Sequence, residues 1–267
     1  MKELLNFLLA KTPRLYEQVL RLKGHHSLDK VIFLNLVKSQ DIVVDIGANR
    51  GYYTLLFSHL VGHHGEVHAF EPVPPTFAYL SQTIGKQQRY QNVYLNQTAV
   101  GDSNEQINIY MPGNDDCQAS MTPHNFGFWQ YTDQVNSYTC SVIKLDDYAE
   151  SKLKQKLDFF KCDVEGAELL ALKGALATLT KYLPIIYLEV SYGWSEKFDY
   201  TPQDLVRLLI TIGYTDFYFV RDGVCLLEDP LEQLTPELFP DSANVANLLC
   251  TVSEKHKYKV RSLVKRS

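Results

Sequence analysis

The sequence predicts an α/β fold built on a doubly wound, mostly parallel sheet. Three observations predict it. The runs at 42–46 (IVVDI), 157–164 (LDFFKCDV) and 184–190 (PIIYLEV) are nearly continuous in apolar residues, the pattern of strands covered on both faces. Amphipathic stretches of helical period separate such runs, which makes the connections crossovers and the strands parallel. Carboxylates stand at or just beyond the ends of strands: Asp45, Glu71, Asp163 and, in the last turn of its run, Glu189. An unpaired buried acid is costly, and ligands of open α/β sheets bind at the carboxyl ends of the strands.

The elements follow in order. The first forty residues read as helical; LDKVIFLNLVK, from Leu28, carries apolar residues at helical spacing, and Ser39-Gln40 ends it. Residues 1–40 are therefore expected to form a helical N-terminal extension and 41–267 the main domain. Strand 42–46 leads into a helix over 52–61, closed by Gly62. Strand 66–70 (EVHAF) precedes a helix that Pro74 and Pro75 can open. NVYLNQTAV, 92–100, reads as a third strand. Runs 106–111 and 137–143 alternate and read as peripheral or antiparallel. After strand 157–164 come a helix over 167–180, strand 184–190, a helix over 203–212, strand 215–220 and a last strand over 247–252.

Composition narrows the function. The chain has 267 residues and a net charge of −5, which argues against nucleic acid as the main partner. No apolar stretch is long enough to span a membrane. The start, MKELLNFLLAK, is too interrupted for a secretory leader, and five scattered cysteines fit reduced thiols, so a cytoplasmic protein is expected.

The stretch VVDIGANRGYYT (43–54) carries the first functional signal. A dinucleotide fingerprint needs G-x-G-x-x-G, and here Asn49 stands in place of the middle glycine. Asp45, just ahead of the loop, would repel a diphosphate. S-adenosylmethionine fits better, because it is cationic and carries no phosphate. Gly47 and Gly51 would let backbone lie against it. Glu71, at the end of the next strand, can accept both ribose hydroxyl protons. The segment Ala99-Val100-Gly101-Asp102 would bracket adenine.

In sequence order, VDIGANRGYYT, AFEPVP, the AVGD turn, LDDY, FFKCDVEGAELLALKGA and PIIYLEV resemble the FkbM family of methyltransferases over roughly 40–192. The resemblance implies a class I, Rossmann-like, S-adenosylmethionine-dependent methyltransferase acting on a hydroxyl of a sugar or natural product. By position it makes Asp45, Gly47, Ala48, Asn49, Gly51 and Thr54 cofactor-loop residues, and Glu71, with Pro72 beside it, the ribose site. Family members often carry a histidine soon after the acid matching Glu189; here Val190 and Ser191 follow.

Chemistry at an alcohol calls for a base or a metal. Lys161 and Asp163 are two apart on one strand and share a face. Asp163, with Glu189 or Lys161, is the expected catalytic group, and Glu165 belongs to the same set. Glu165 and Glu168 also suit the start of a helix by charge alone. Magnesium is an alternative that two carboxylates permit but do not favour. Residues 112–136, with His124 and Trp129, read as a flap for the acceptor or as plain packing. His59 and His63 lie one turn apart but about 15 Å from the loop, and read as surface residues. A nicotinamide oxidoreductase and a non-catalytic module of the same fold remain as alternatives.

Overall fold

The computed structural model describes residues 27–85, 90–113, 118–123, 127–153, 156–239, 245–260 and 263. Helix α1 spans Leu28–Leu36, with the Ser27 hydroxyl accepting from the Lys30 amide. Next come β1 (Ile42–Ile46), α2 (Tyr52–Val61), β2 (Glu66–Phe70), α3 (Pro74–Gly85), β3 (Val93–Asn96), β4 (Ala99–Val100), β5 (Glu105–Pro112) and β6 (Val135–Ile143). The second half holds α4 (Leu145–Lys152), β7 (Phe159–Cys162), α5 (Glu168–Lys173), α6 (Leu176–Tyr182), β8 (Ile185–Val190), α7 (Tyr192–Ser195) and α8 (Pro202–Thr211). It ends in β9 (Asp216–Val220), β10 (Val224–Leu227), α9 (Pro230–Gln233), β11 (Ala246–Thr251) and α10 (Ser253–Val260).

Eight strands form one sheet in the order β10-β9-β11-β8-β7-β1-β2-β3. Its centre, β8-β7-β1-β2-β3, is parallel throughout; β11 runs antiparallel between β8 and β9. A three-stranded sheet, β4-β6-β5, stands beside it.

The strands divide their side chains strictly by parity. Ile42, Val44, Ile46, Phe160, Cys162, Ile186 and Leu188 pack with α4, α5, α6 and α8 on one face. Val43, Phe159, Ile185 and Tyr187 pack with α1, α2 and α10 on the other. Continued toward the strand ends, the second face carries Asp45, Lys161, Asp163 and Glu189. α1 is thus no loose appendage: Ile32, Phe33, Leu34 and Leu36 are buried in that layer.

Three expectations need correction. The run 92–100 breaks at Gln97-Thr98, because the chain leaves the large sheet after Asn96 and joins β6 at Ala99. The helix over 167–180 is two helices. Their joint, Gly174, lies so close to the small sheet that a Cβ there would sit 1.8 Å from the Gly101 carbonyl oxygen. Strand β10 and helix α4 stand where the sequence reading placed no element. Among the described residues no helix is long and apolar enough to cross a membrane.

Candidate active site

A cavity of about 370 Å³ opens at the carboxyl ends of β1, β2, β7 and β8 and is roofed by the small sheet. This is where the chain order reverses across β1, between β2 and β7. Of the expected residues, Gly47, Ala48, Asn49, Glu71, Pro72, Ala99, Val100, Asp102, Lys161, Asp163, Glu165 and Glu189 line it.

The loop after β1 explains its own glycines. Gly47 has φ +74°, and a Cβ there would lie 1.8 Å from the Asp163 carbonyl oxygen. Gly51 has φ +87°, and a Cβ there would lie 2.5 Å from Leu80 Cδ1. The end of β7 therefore approaches the first glycine, and α3 approaches the second. Gly47 also lines the cavity; Gly51 packs against Leu80 and does not line it. Asp45 and Thr54 do not line it either. Both are fully buried behind the loop, where the Thr54 hydroxyl donates to Asp45 Oδ2 at 2.7 Å.

Lys161 holds this loop from beneath. Its ammonium, 3 % exposed, donates to the Gly47 carbonyl at 3.1 Å and lies 3.3 Å from both Asp45 Oδ1 and Asp163 Oδ2. Burial opposes its charge, but Asp163 and Asp45 outweigh burial and hold Lys161 above its ordinary pKa. It is a fixed cation and not a base. For Asp45 burial pushes the carboxyl up, against Lys161 and the Thr54 hydroxyl.

Glu71 is 5 % exposed. One of its oxygens accepts from the Asn49 amide and the other from the Val73 amide, each at 2.9 Å. A carboxylate oxygen has more than one acceptor direction, so the same group can also meet ligand hydroxyls.

Across the cavity Asp163, Glu165 and Glu189 bring carboxylate oxygens within 4.8 Å of one another. Sequence reasoning placed two carboxylates here; the structure gathers three, in a geometry that could hold a divalent ion. The turn that carries them is tight, with φ +54° at Glu165 and +105° at Gly166. Buried Glu168 braces it, accepting from the amides of Val164 (2.9 Å) and Gly166 (3.1 Å) and from the Tyr200 hydroxyl (3.1 Å). Burial outweighs these hydrogen bonds and lifts Glu168 to about 7. Burial, then Glu165 and Asp163, push Glu189 well above the carboxylate range. Glu189 Oε2 is buried with no hydrogen-bond partner among the described residues.

Trp129 is not at the cavity. It is 7 % exposed and packs with Trp194 and Tyr110, its indole N–H donating to the Gln118 carbonyl at 3.2 Å. Of the two readings of the flap, its place is that of packing. His124 lies outside the described residues. What the flap does bring to the cavity is Ala119, Ser120 and Met121, with the Ser120 hydroxyl donating to the Glu165 carbonyl at 3.1 Å. Sequence reasoning also missed Arg50, Tyr52 and Tyr53, which line the cavity. The signal was present, since they follow Asn49 directly. His59 sits 3.3 Å from the Tyr90 hydroxyl, far from the acids.

The family model for the methyltransferase FkbM domain matches residues 45–221. No curated protein matches the chain. Among solved structures, an FkbM methyltransferase from Methylobacillus flagellatus is 16% identical with a TM-score of 0.48, covering 79% of this chain. This chain spans 44% of that protein's length. An S-adenosylmethionine-dependent O-methyltransferase from Thermotoga maritima is 10% identical with a TM-score of 0.46, covering 84% of this chain and 64% of its own. A fibrillarin from Aeropyrum pernix, with natively bound S-adenosyl-L-methionine, is 12% identical with a TM-score of 0.44, covering 81% and 68%.

Proposed function

The chain belongs to the FkbM family of S-adenosylmethionine-dependent methyltransferases, and from that premise we propose that it methylates a hydroxyl of a saccharide or natural-product acceptor, with Asp163 as the base. One observation carries the reading. The Gly47–Asn49 loop, Glu71 and the Asp163–Glu165–Glu189 cluster face a single cavity.

The residues present suit the cofactor. The loop backbone and Glu71 would hold the methionine and ribose portions, and Ala99, Val100 and Asp102 the adenine. An acidic wall suits a cationic sulfonium and disfavours a diphosphate, which weighs against a nicotinamide dinucleotide. When bound, the cofactor supplies an electrophilic methyl group on a positively charged sulfur. The chain supplies position and a proton acceptor. Lys161, 3.3 Å from Asp163 Oδ2, fixes the orientation of that carboxylate. Its free oxygen takes the proton of the acceptor hydroxyl as the oxygen attacks. Glu165 and Glu189 would accept hydrogen bonds from neighbouring hydroxyls of the acceptor, beneath the small sheet.

Calorimetry with S-adenosylhomocysteine and with NAD separates the two cofactor readings. A screen with radiolabelled S-adenosylmethionine across sugars, lipopolysaccharide fragments and polyketides tests for an acceptor. With that acceptor, Asp163→Asn is expected to lower kcat by about 10²–10⁴ while S-adenosylhomocysteine affinity holds. Full activity in this variant refutes the base assignment. Activity abolished by EDTA and restored by magnesium replaces the base by a metal at the three carboxylates.

A further inference from the structure

Lys161 is walled by two tyrosines, and both answer to one residue of α1. The Lys161 ammonium lies 5.8 Å from the centroid of the Tyr53 ring, within cation–π range. Tyr187 is the cross-strand partner of Lys161 in the β7–β8 ladder, on the same face. The Tyr53 hydroxyl donates to Asp29 Oδ2 at 2.9 Å, and the Tyr187 hydroxyl donates to Asp29 Oδ1. Phe33, one turn along α1, sits edge-on to both rings, with centroids 5.0 and 4.9 Å away. Asp29 is an acid in the first turn of α1, where the helix dipole alone would favour it. The dipole does not explain why both its oxygens are taken by tyrosines from two different elements.

Those elements are the ones that must stay in register for the site to work. Tyr53 lies in the first turn of α2, just after the loop that lines the cavity. Tyr187 lies two residues before Glu189. α1 also lies outside the residues matched by the family model, which begin at 45.

We propose that Asp29 is a positioning residue of the active centre: by tying the hydroxyls of Tyr53 and Tyr187 together, it holds the Lys161 ammonium between Asp45, Asp163 and the Gly47 carbonyl. The helix before the methyltransferase domain is then part of the catalytic floor. The inference rests on the proposed chemistry only for its second readout.

The first readout is the Lys161 ammonium itself, followed by NMR of the full chain labelled with ¹⁵N-lysine and assigned by its loss in Lys161→Met. The wild type is expected to show a slowly exchanging signal. Asp29→Ala and Tyr53→Phe are each expected to speed its proton exchange about tenfold, since the opening of a walled group sets that rate. An unchanged signal in folded Asp29→Ala, with only Tm lowered, overturns the proposal. Should Asp29→Ala fail to fold, Tyr53→Phe, which loses one hydroxyl, decides by the same signal. The second readout is kinetic, with the acceptor from the screen. Asp29→Asn is expected to lower kcat about tenfold through misplacement, with acceptor KM and S-adenosylhomocysteine affinity unchanged; an equal loss in all three overturns the positioning role. Absence of S-adenosylhomocysteine binding by the wild type refutes the methyltransferase reading and leaves the Lys161 signal to judge Asp29.

Discussion

At Lys161 one ammonium serves three acceptors, and Asp45, which is fully buried, has besides it, among the described residues, only the Thr54 hydroxyl at hydrogen-bond distance. Breaking a buried ion pair from one side costs about 3–5 kcal/mol, because a charge is left without its partner. Lys161→Met should therefore lose stability on that scale in chemical denaturation. Adding Asp45→Asn should return part of it, since the neutral amide no longer needs the cation. A double variant as unstable as the sum of both singles would show that the two residues do not act as a pair. Glu71 is argued from the same kind of accounting. Its two oxygens brace the loop at Asn49 and Val73, and the proposed cofactor site would have them meet ribose hydroxyls as well. Glu71→Ala should weaken S-adenosylhomocysteine by about 2–4 kcal/mol, the worth of two charge-assisted hydrogen bonds. Unchanged affinity in a folded variant would remove Glu71 from the cofactor site.

At the scale of elements, the end of β1 and the end of β7 are packed so closely that the loop works only with glycine. Gly47→Ala would drive a Cβ into the Asp163 carbonyl and place alanine at positive φ. The backbone strain alone is about 1–2 kcal/mol, and Asp163 must move as well. The variant should lower Tm and lose S-adenosylhomocysteine binding together; full binding would mean that β7 yields freely. This contact also marks where sequence reading stopped. β1, β7 and β8 were legible because strands buried on both faces are apolar throughout, and their acidic ends were legible because burial of an acid is costly. The partners of those acids were not. Nothing in VVDIGANRGYYT says that Gly51 meets Leu80, or that Asp45 turns to Thr54. Such contacts are made between elements far apart in the chain. The break at Gln97-Thr98 was hidden for a similar reason: one extended run serves two sheets, and the alternation does not change where it crosses.

At the scale of the whole molecule, two buried groups on opposite sides of the sheet pull stability in opposite directions with pH. His256, on α10, is buried, and its Nδ1 accepts the Val252 N–H at 3.1 Å, which fixes a neutral ring. Burial, then Lys255 and Lys259, push it down from 6.5 to about 4. Between those values the unfolded chain takes up a proton that the folded chain refuses, so this group makes stability fall as pH drops from about 6.5 toward 4. Glu168, under the Glu165-Gly166 turn, is raised from 4.5 to about 7. In that window the folded chain keeps a proton that the unfolded chain has released, so this group makes stability fall as pH rises from 4.5 toward 7. Each slope is at most about 1.4 kcal/mol per pH unit, the value for one proton, and over the shared window they offset. Single substitutions should unmask them. His256→Gln keeps an acceptor for the Val252 amide and should leave Tm falling as pH is raised from 4.5 to 7. Glu168→Gln keeps the carbonyl acceptor and should make Tm fall less than in the parent over the same range, while Glu189, whose carboxyl is also raised, still contributes in the downward direction. Thermal denaturation of both variants beside the parent checks this, and parallel curves for the two would refute the opposed pair.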